Sequence, residues 1–114
     1  MRSHASAPTG IVVALVTCPT KAVARRLGTA LVRHHLAACV NIIPAVESIF
    51  FWKGKVERCP ETLLVIKTTK RRFESLKRAV LKWHPYDVPE IIALPVTLGS
   101  TPYLHWVIAS TRPS

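Results

Sequence analysis

Apolar residues occur along this chain first as a continuous run and then at helical spacing. This order limits the possible folds more than any other feature of the sequence. A continuous, β-branched apolar run over residues 11–17 has the pattern of a strand buried on both faces. Beyond it, Val23, Leu27 and Leu31 recur at helical spacing. Pro19 predicts the start of this helix, because a first-turn proline loses no hydrogen bond. A buried strand that leads directly into an amphipathic helix is therefore the first unit of the fold.

A long hairpin is predicted next. Residues 39–53 have the pattern of one extended strand, in which Pro44 requires a bend or an edge position. A turn at Lys53-Gly54-Lys55 follows, and the run at residues 62–68 is the partner strand. Cys59 lies in the polar stretch between them and is expected to be exposed.

In the second half of the chain, the hairpin is followed by a predicted helix and then by another predicted strand. Residues 71–83 predict a helix whose inner face includes Trp83, and residues 91–96 predict a fourth strand. A helix-initiation pattern at Thr101 predicts a short final helix. The order βαββαβ with an added helix is typical of the α+β, ferredoxin-like sandwich.

The chain length of 114 residues indicates one domain. We expect a flexible leader at residues 1–9, the domain at 10–111 and a tail at 112–114. The longest purely apolar run has six residues, too few to cross a membrane, so no membrane partner is expected. Three cysteines without paired spacing predict free thiols and a cytoplasmic location.

Several short motifs occur in an order and spacing that resemble one family. They are Thr17-Cys18-Pro19, residues 36–41 (LAACVN), residues 52–55 (WKGK), Ile66-Lys67-Thr68, His84-Pro85-Tyr86, residues 88–96 (VPEIIALPV) and residues 103–106 (YLHW). Together they resemble the CutA family over roughly Gly10 to Thr111. The resemblance implies a tight homotrimer, architecturally similar to the PII signalling proteins. It also implies a role in tolerance of copper and other divalent cations, copper binding in some members, a link to acetylcholinesterase anchoring in animals, and no catalytic activity.

The resemblance carries over only part of a metal site. Copper-binding members use a first-strand cysteine and a histidine pair before Pro-Tyr, whereas this chain has Val16 and Trp83 at two of those positions. His84 matches, and Cys18 lies two residues beyond Val16, on the same face of an extended strand. With Glu90, expected to be buried, these residues form the predicted site for weak, pH-dependent copper or zinc binding, with no obligatory cofactor. The alternative for His84 is a hydrogen bond that orders its loop, and the alternative for Glu90 is to accept hydrogen bonds from a neighbouring subunit.

Three aromatic residues at the end of the long strand predict an interface. Phe50 and Trp52 share one face of the strand, and Phe51 lies on the other. One small protomer cannot bury both faces of a hairpin tip, so these residues are expected to be covered in the homotrimer.

Catalysis is not expected. Asp87 is the sole aspartate, and the sequence has no G-x-S-x-G, H-E-x-x-H or C-x-x-C motif.

Two alternatives from other functional classes remain open. The net charge of +10, concentrated on the two predicted main helices, favours nonspecific contact with polyanions and permits a nucleic-acid-binding module. Against an RNA-recognition domain, residues 63–66 are aliphatic where such domains place stacking aromatics. A PII-like small-ligand sensor is suggested by fold analogy alone.

Overall fold

A computed structural model describes residues 8–113 of the chain. Residues 1–7 of the predicted leader and Ser114 of the predicted tail lie outside this range. Thr9 of the leader is tied to the domain, since its hydroxyl donates to the carbonyl of Val96 at 2.5 Å. The elements are β1 (Ile11–Cys18), α1 (Lys21–Arg33), β2 (Cys39–Trp52), β3 (Lys55–Thr69), α2 (Lys70–Trp83), β4 (Ile91–Pro95) and α3 (Thr101–Ser110).

The four strands form one antiparallel sheet in the order β2-β3-β1-β4. Helices α1 and α2 cover one face, and their apolar stripes meet β1 and β3 in the main core. The buried members of that core include Val16, Leu31, Leu64, Leu76 and Val80. This architecture confirms the predicted α+β, ferredoxin-like fold with an additional C-terminal helix.

The opposite face of the sheet, here called the open face, is only partly covered. Helix α3 packs over one end of it, where Val107 meets Ile11 and Ala38. Strand register places Leu94 of β4 beside Val13 and Ile92 beside Leu15 on this face. Leu94 and Ile92 are 52% and 51% exposed. The open face therefore presents an apolar surface that one chain leaves in water.

The hairpin of β2 and β3 extends well beyond the sheet. Strand β1 pairs with β3 only from Thr62 to Thr69, so residues 46–52 and 55–61 pair only with each other. We call this two-stranded segment the hairpin arm. It helps to raise the radius of gyration to 15.5 Å, against about 13 Å for a typical 100-residue domain.

The predicted start of β3 at residue 62 is wrong by seven residues, because the strand begins at Lys55. The polar residues that precede Thr62 pair with β2 without facing the core, so they need no apolar alternation. The predicted turn is confirmed: Lys53 and Gly54 both have positive φ, 49° and 80°. Those angles fit a type I′ turn, whose twist matches that of paired strands.

Pro44 lies in the edge strand β2, where the pairing with β3 shifts register between Ile43 and Val46. The expected bend at this proline is thus confirmed. Ala45 has a φ of 62° at the same place.

Two predictions for the helices are wrong in detail. Helix α1 begins at Lys21, not at Pro19, because the Thr20 hydroxyl caps it by accepting the Val23 N–H at 3.1 Å. Trp83 is exposed and packs its ring against His34, with 5.6 Å between the ring centres. Within residues 8–113, no helix combines the length and apolar character needed to cross a membrane.

Candidate functional site

A cleft of about 900 Å³ opens where the hairpin arm meets the loop at residues 84–90. We call it the arm cleft. Its wall combines aromatic side chains with several carboxylates and one guanidinium; it is lined by Phe50, Trp52, Glu57, Arg58, Cys59, Glu61, Tyr86, Asp87 and Glu90, among others. Phe51 does not line the cleft, since neighbouring residues of a strand face opposite sides, and its side chain is 72% exposed. Cys59, expected to be exposed, is half-buried.

The contact between Tyr86 and Glu61 fixes the loop to the arm. The Tyr86 hydroxyl donates to Glu61 Oε2 at 2.9 Å. Glu61 is buried, with 8% exposed, a position a carboxylate rarely takes without a partner. Burial first, and then the hydrogen bond to the Glu61 carboxylate, raises the pKa of Tyr86 far above its ordinary value. The hydroxyl therefore stays protonated and keeps donating.

His84 is buried and bridges two backbone segments. Its Nδ1 lies 3.1 Å from the Tyr86 N–H and accepts from it, so Nδ1 carries no proton. Nε2 then carries the proton and donates to the carbonyl of Thr17 at 2.7 Å. Both ring nitrogens are occupied in this way, which is the loop-ordering arrangement considered as the alternative to metal binding.

Cys18 lies at the end of β1 and faces the main core. Burial first, and then the Glu61 carboxylate, raises the pKa of its thiol to about 11. A metal ligand must be the thiolate, so Cys18 is protonated and poorly suited to ligation at neutral pH.

Glu90 is exposed on the arm cleft, contrary to its predicted burial. The buried carboxylate is instead Glu61, which was not predicted because the sequence pattern places residue 61 outside the strand. In β3, Glu61 pairs with Val46 of β2 and lies next to the buried Thr62. A strand prediction extended back through the polar stretch to residue 55 would have placed Glu61 inside β3.

His84, Cys18 and Glu90 do not form a ligand set in one chain. No group of three or more His, Cys, Asp or Glu side chains within residues 8–113 is arranged to hold a metal ion. Copper and zinc require several imidazole or thiolate ligands that converge. The donor set of a single chain, as arranged, therefore does not fit a complete site for either ion.

The chain is similar in sequence to the proteins of one family. The family model described as "CutA1 divalent ion tolerance protein" matches residues 12–110. "Protein CutA" of Mus musculus is 49% identical over 100 residues, which cover 88% of this chain and 56% of that protein. The "Divalent-cation tolerance protein CutA" of Thermus thermophilus is 48% identical over 99 residues, 87% of this chain and 96% of the relative. The chain thus spans little more than half of the mouse relative and nearly all of the bacterial one.

Solved structures agree with the sequence matches. The Thermus thermophilus divalent cation tolerance protein superposes with a TM-score of 0.88 at 47% identity, covering 90% of this chain and 99% of its own. Oryza sativa CutA1 gives 0.89 at 44% identity and covers 96% and 99%. The structural similarity therefore extends over nearly the whole chain.

Proposed function

We propose that this chain, which belongs to the CutA1 divalent ion tolerance family, acts without catalysis as a homotrimer in the tolerance of divalent cations. The observation that carries the assembly is the apolar surface left exposed on the open face and the hairpin arm. Relatives are named for divalent-cation tolerance, and that role is the one proposed for this chain.

The hairpin arm supports assembly because two strands alone are marginally stable in water. It carries Phe50, Phe51 and Trp52, all exposed. Large apolar side chains exposed on both faces of a hairpin tip mark an interaction site. We infer that the arms pair with sheet edges of neighbouring copies, so that three chains close a ring.

The proposed absence of catalysis rests on how the reactive groups are engaged. The His84 ring bonds backbone groups on both sides, so it is not positioned as a free general base. The Cys18 thiol is protonated at neutral pH because its pKa is about 11.

A cytoplasmic location is proposed from the three free cysteines, and cell fractionation tests it.

Copper or zinc binding is proposed as weak and not obligatory. An ion at His84 Nδ1 must compete with the Tyr86 N–H, and the other ligands must come from a rearranged loop or a neighbouring copy. Calorimetry with copper should show His84→Ala weakening affinity at least tenfold, because even the loss of a group that supports a metal ligand costs about 10–100-fold. His105→Ala removes an exposed histidine on α3 and should leave the affinity unchanged. Equal copper affinity in the unmodified chain and both variants would show that His84 is not a ligand. Tight binding of magnesium would contradict the expected preference of the site for copper and zinc.

Growth of cells that lack their own CutA protein tests the cellular role. Expression of this chain should restore growth in raised copper or zinc to the level of the parent strain. The matched control is the chain with Ile92→Glu and Leu94→Glu, which should not assemble. Identical growth with and without the chain contradicts the proposed function.

A further inference from the structure

The outward faces of α1 and α2, here called the helical layer, hold almost all of the net charge. The two helices carry ten cationic side chains and one carboxylate, Glu74, a net charge of +9 out of +10 for the whole chain. All ten are exposed or half-exposed; they are Lys21, Arg25, Arg26, Arg33, Lys70, Arg71, Arg72, Lys77, Arg78 and Lys82.

The fold separates these cations from the carboxylates that could neutralise them. Five of the six acidic residues lie on the hairpin arm or in the loop after α2; they are Glu47, Glu57, Glu61, Asp87 and Glu90. In the described part of the chain, the ion pair on the helical layer joins Lys77 to Glu74 at 3.0 Å. The other cations of the layer have no carboxylate partner there.

This arrangement is unfavourable for the helices themselves. Neither α1 nor α2 has an acidic residue in its first turn, and α2 instead begins Lys70-Arg71-Arg72. Cations at a helix N-terminus oppose the helix dipole, and Arg78 and Lys82, four residues apart, repel each other. A face that only meets water gains nothing from such repulsion, whereas an anionic partner would relieve it.

The two helices pack on the same face of the sheet and contact each other, so their basic side chains lie on one side of the molecule. Arg72 Nε donates to the carbonyl of His35 at 3.4 Å, which links the start of α2 to the end of α1. Each helix is roughly 20 Å long at about 1.5 Å per residue. The surface lies on the opposite side of the sheet from the open face, so the proposed trimer leaves it accessible.

The character of this surface favours a duplex over a membrane or a single strand. Inserting into lipid requires a continuous apolar stripe, but the stripes of α1 and α2 are buried in the core. Among the described residues, the exposed large aliphatic side chains of the layer, Val32 and Leu81, lie on different helices. Its one exposed aromatic ring, Trp83, already packs on His34, whereas single-strand binding uses rows of stacking aromatics.

We propose that the helical layer is a docking surface for the phosphate backbone of double-stranded nucleic acid, bound without regard to sequence. Lysine and arginine neutralise phosphates and release condensed counterions, so such binding weakens steeply with salt. Contacts to phosphates carry no sequence information.

Titration of the full chain with a fluorescent 24-base-pair DNA duplex, at several salt concentrations, tests this proposal. Arg25→Gln with Arg78→Gln should weaken binding at low salt at least tenfold and reduce the slope of log K against log salt by about 2. The control, Lys53→Gln with Lys55→Gln, removes the same charge from the hairpin turn and should leave both quantities unchanged.

Three outcomes overturn the proposal. Equal loss of affinity in both double variants would show that total charge alone acts. Tighter binding to vesicles of phosphatidylserine and phosphatidylcholine than to the duplex would assign the surface to membranes. Binding that prefers one duplex sequence or survives high salt would contradict the electrostatic origin. Light scattering of each variant separates these results from any failure of the proposed trimer.

Discussion

Among single residues, Tyr86 and Glu61 connect the loop at 84–90 to the hairpin arm through one hydrogen bond. Tyr86→Phe removes the donor and leaves a buried carboxylate oxygen without it. We expect a loss of about 1–3 kcal/mol in the free energy of unfolding, measured by urea denaturation. Tyr103→Phe removes the same atom from an exposed tyrosine and should cost less than about 0.5 kcal/mol. Equal losses in the two variants would contradict this role for the buried pair.

The thiol of Cys18 should be the least reactive of the three. Its pKa of about 11, against an ordinary value of 9.0, leaves about 100-fold less thiolate at pH 8, and burial blocks access as well. Alkylation by iodoacetamide, followed by mass spectrometry, should modify half-buried Cys59 well before Cys18. The same shift predicts that stability is retained below pH 9 and falls as the pH rises from 9 to 11, since the unfolded thiol ionises first. Modification of Cys18 at the rate of Cys59 would contradict its assigned environment.

The candidate site was only partly predictable from sequence at this scale. The sequence singled out His84 and posed its two possible roles, because Pro85 and Tyr86 follow it in a matching motif. It could not show that both ring nitrogens bond the backbone, since the partners at Thr17 and Tyr86 come together only through the fold. Glu61 was missed because the sequence pattern places it before β3, and its hydrogen-bond partner Tyr86 is 25 residues away.

Among the elements, the turn of the hairpin arm predicts that substitutions at two neighbouring residues change stability in opposite directions. Gly54 has a φ of 80°, where any side chain is strained, so Gly54→Ala should destabilise the fold by about 1 kcal/mol. Lys53 has a φ of 49°, which asparagine adopts more easily than lysine, so Lys53→Asn should stabilise by a few tenths of a kcal/mol. Thermal unfolding of both variants measures this, and a destabilising Lys53→Asn would argue against a type I′ turn.

The order and type of the elements could be predicted because each core-facing element carries either a continuous apolar run or apolar residues at helical spacing. Strand β1 and helices α1 and α2 all bury such a stripe. The first seven residues of β3 could not be predicted in this way, because they lie in the arm and face no core of their own chain. Trp83 was assigned to the core by its helical spacing, but α2 turns it past the sheet toward His34.

For the whole molecule, the open face gives a direct test of how copies associate. Ile92→Glu with Leu94→Glu places two charges on this face and should dissociate the assembly, since burying unpaired carboxylates is strongly unfavourable. Val32→Glu with Leu81→Glu introduces the same charges at comparably exposed positions on the helical layer. That variant should retain its mass in size-exclusion chromatography. Dissociation of both variants, or of neither, would exclude the open face as the specific interface.

The mass of the chain in solution tests whether the exposed apolar surface on the arm and the open face is covered by other copies. Light scattering at micromolar concentration should give three times the 12.7 kDa of one chain, about 38 kDa. A stable monomer of 12.7 kDa at that concentration would show that this surface is not covered by other copies, contrary to the proposed assembly.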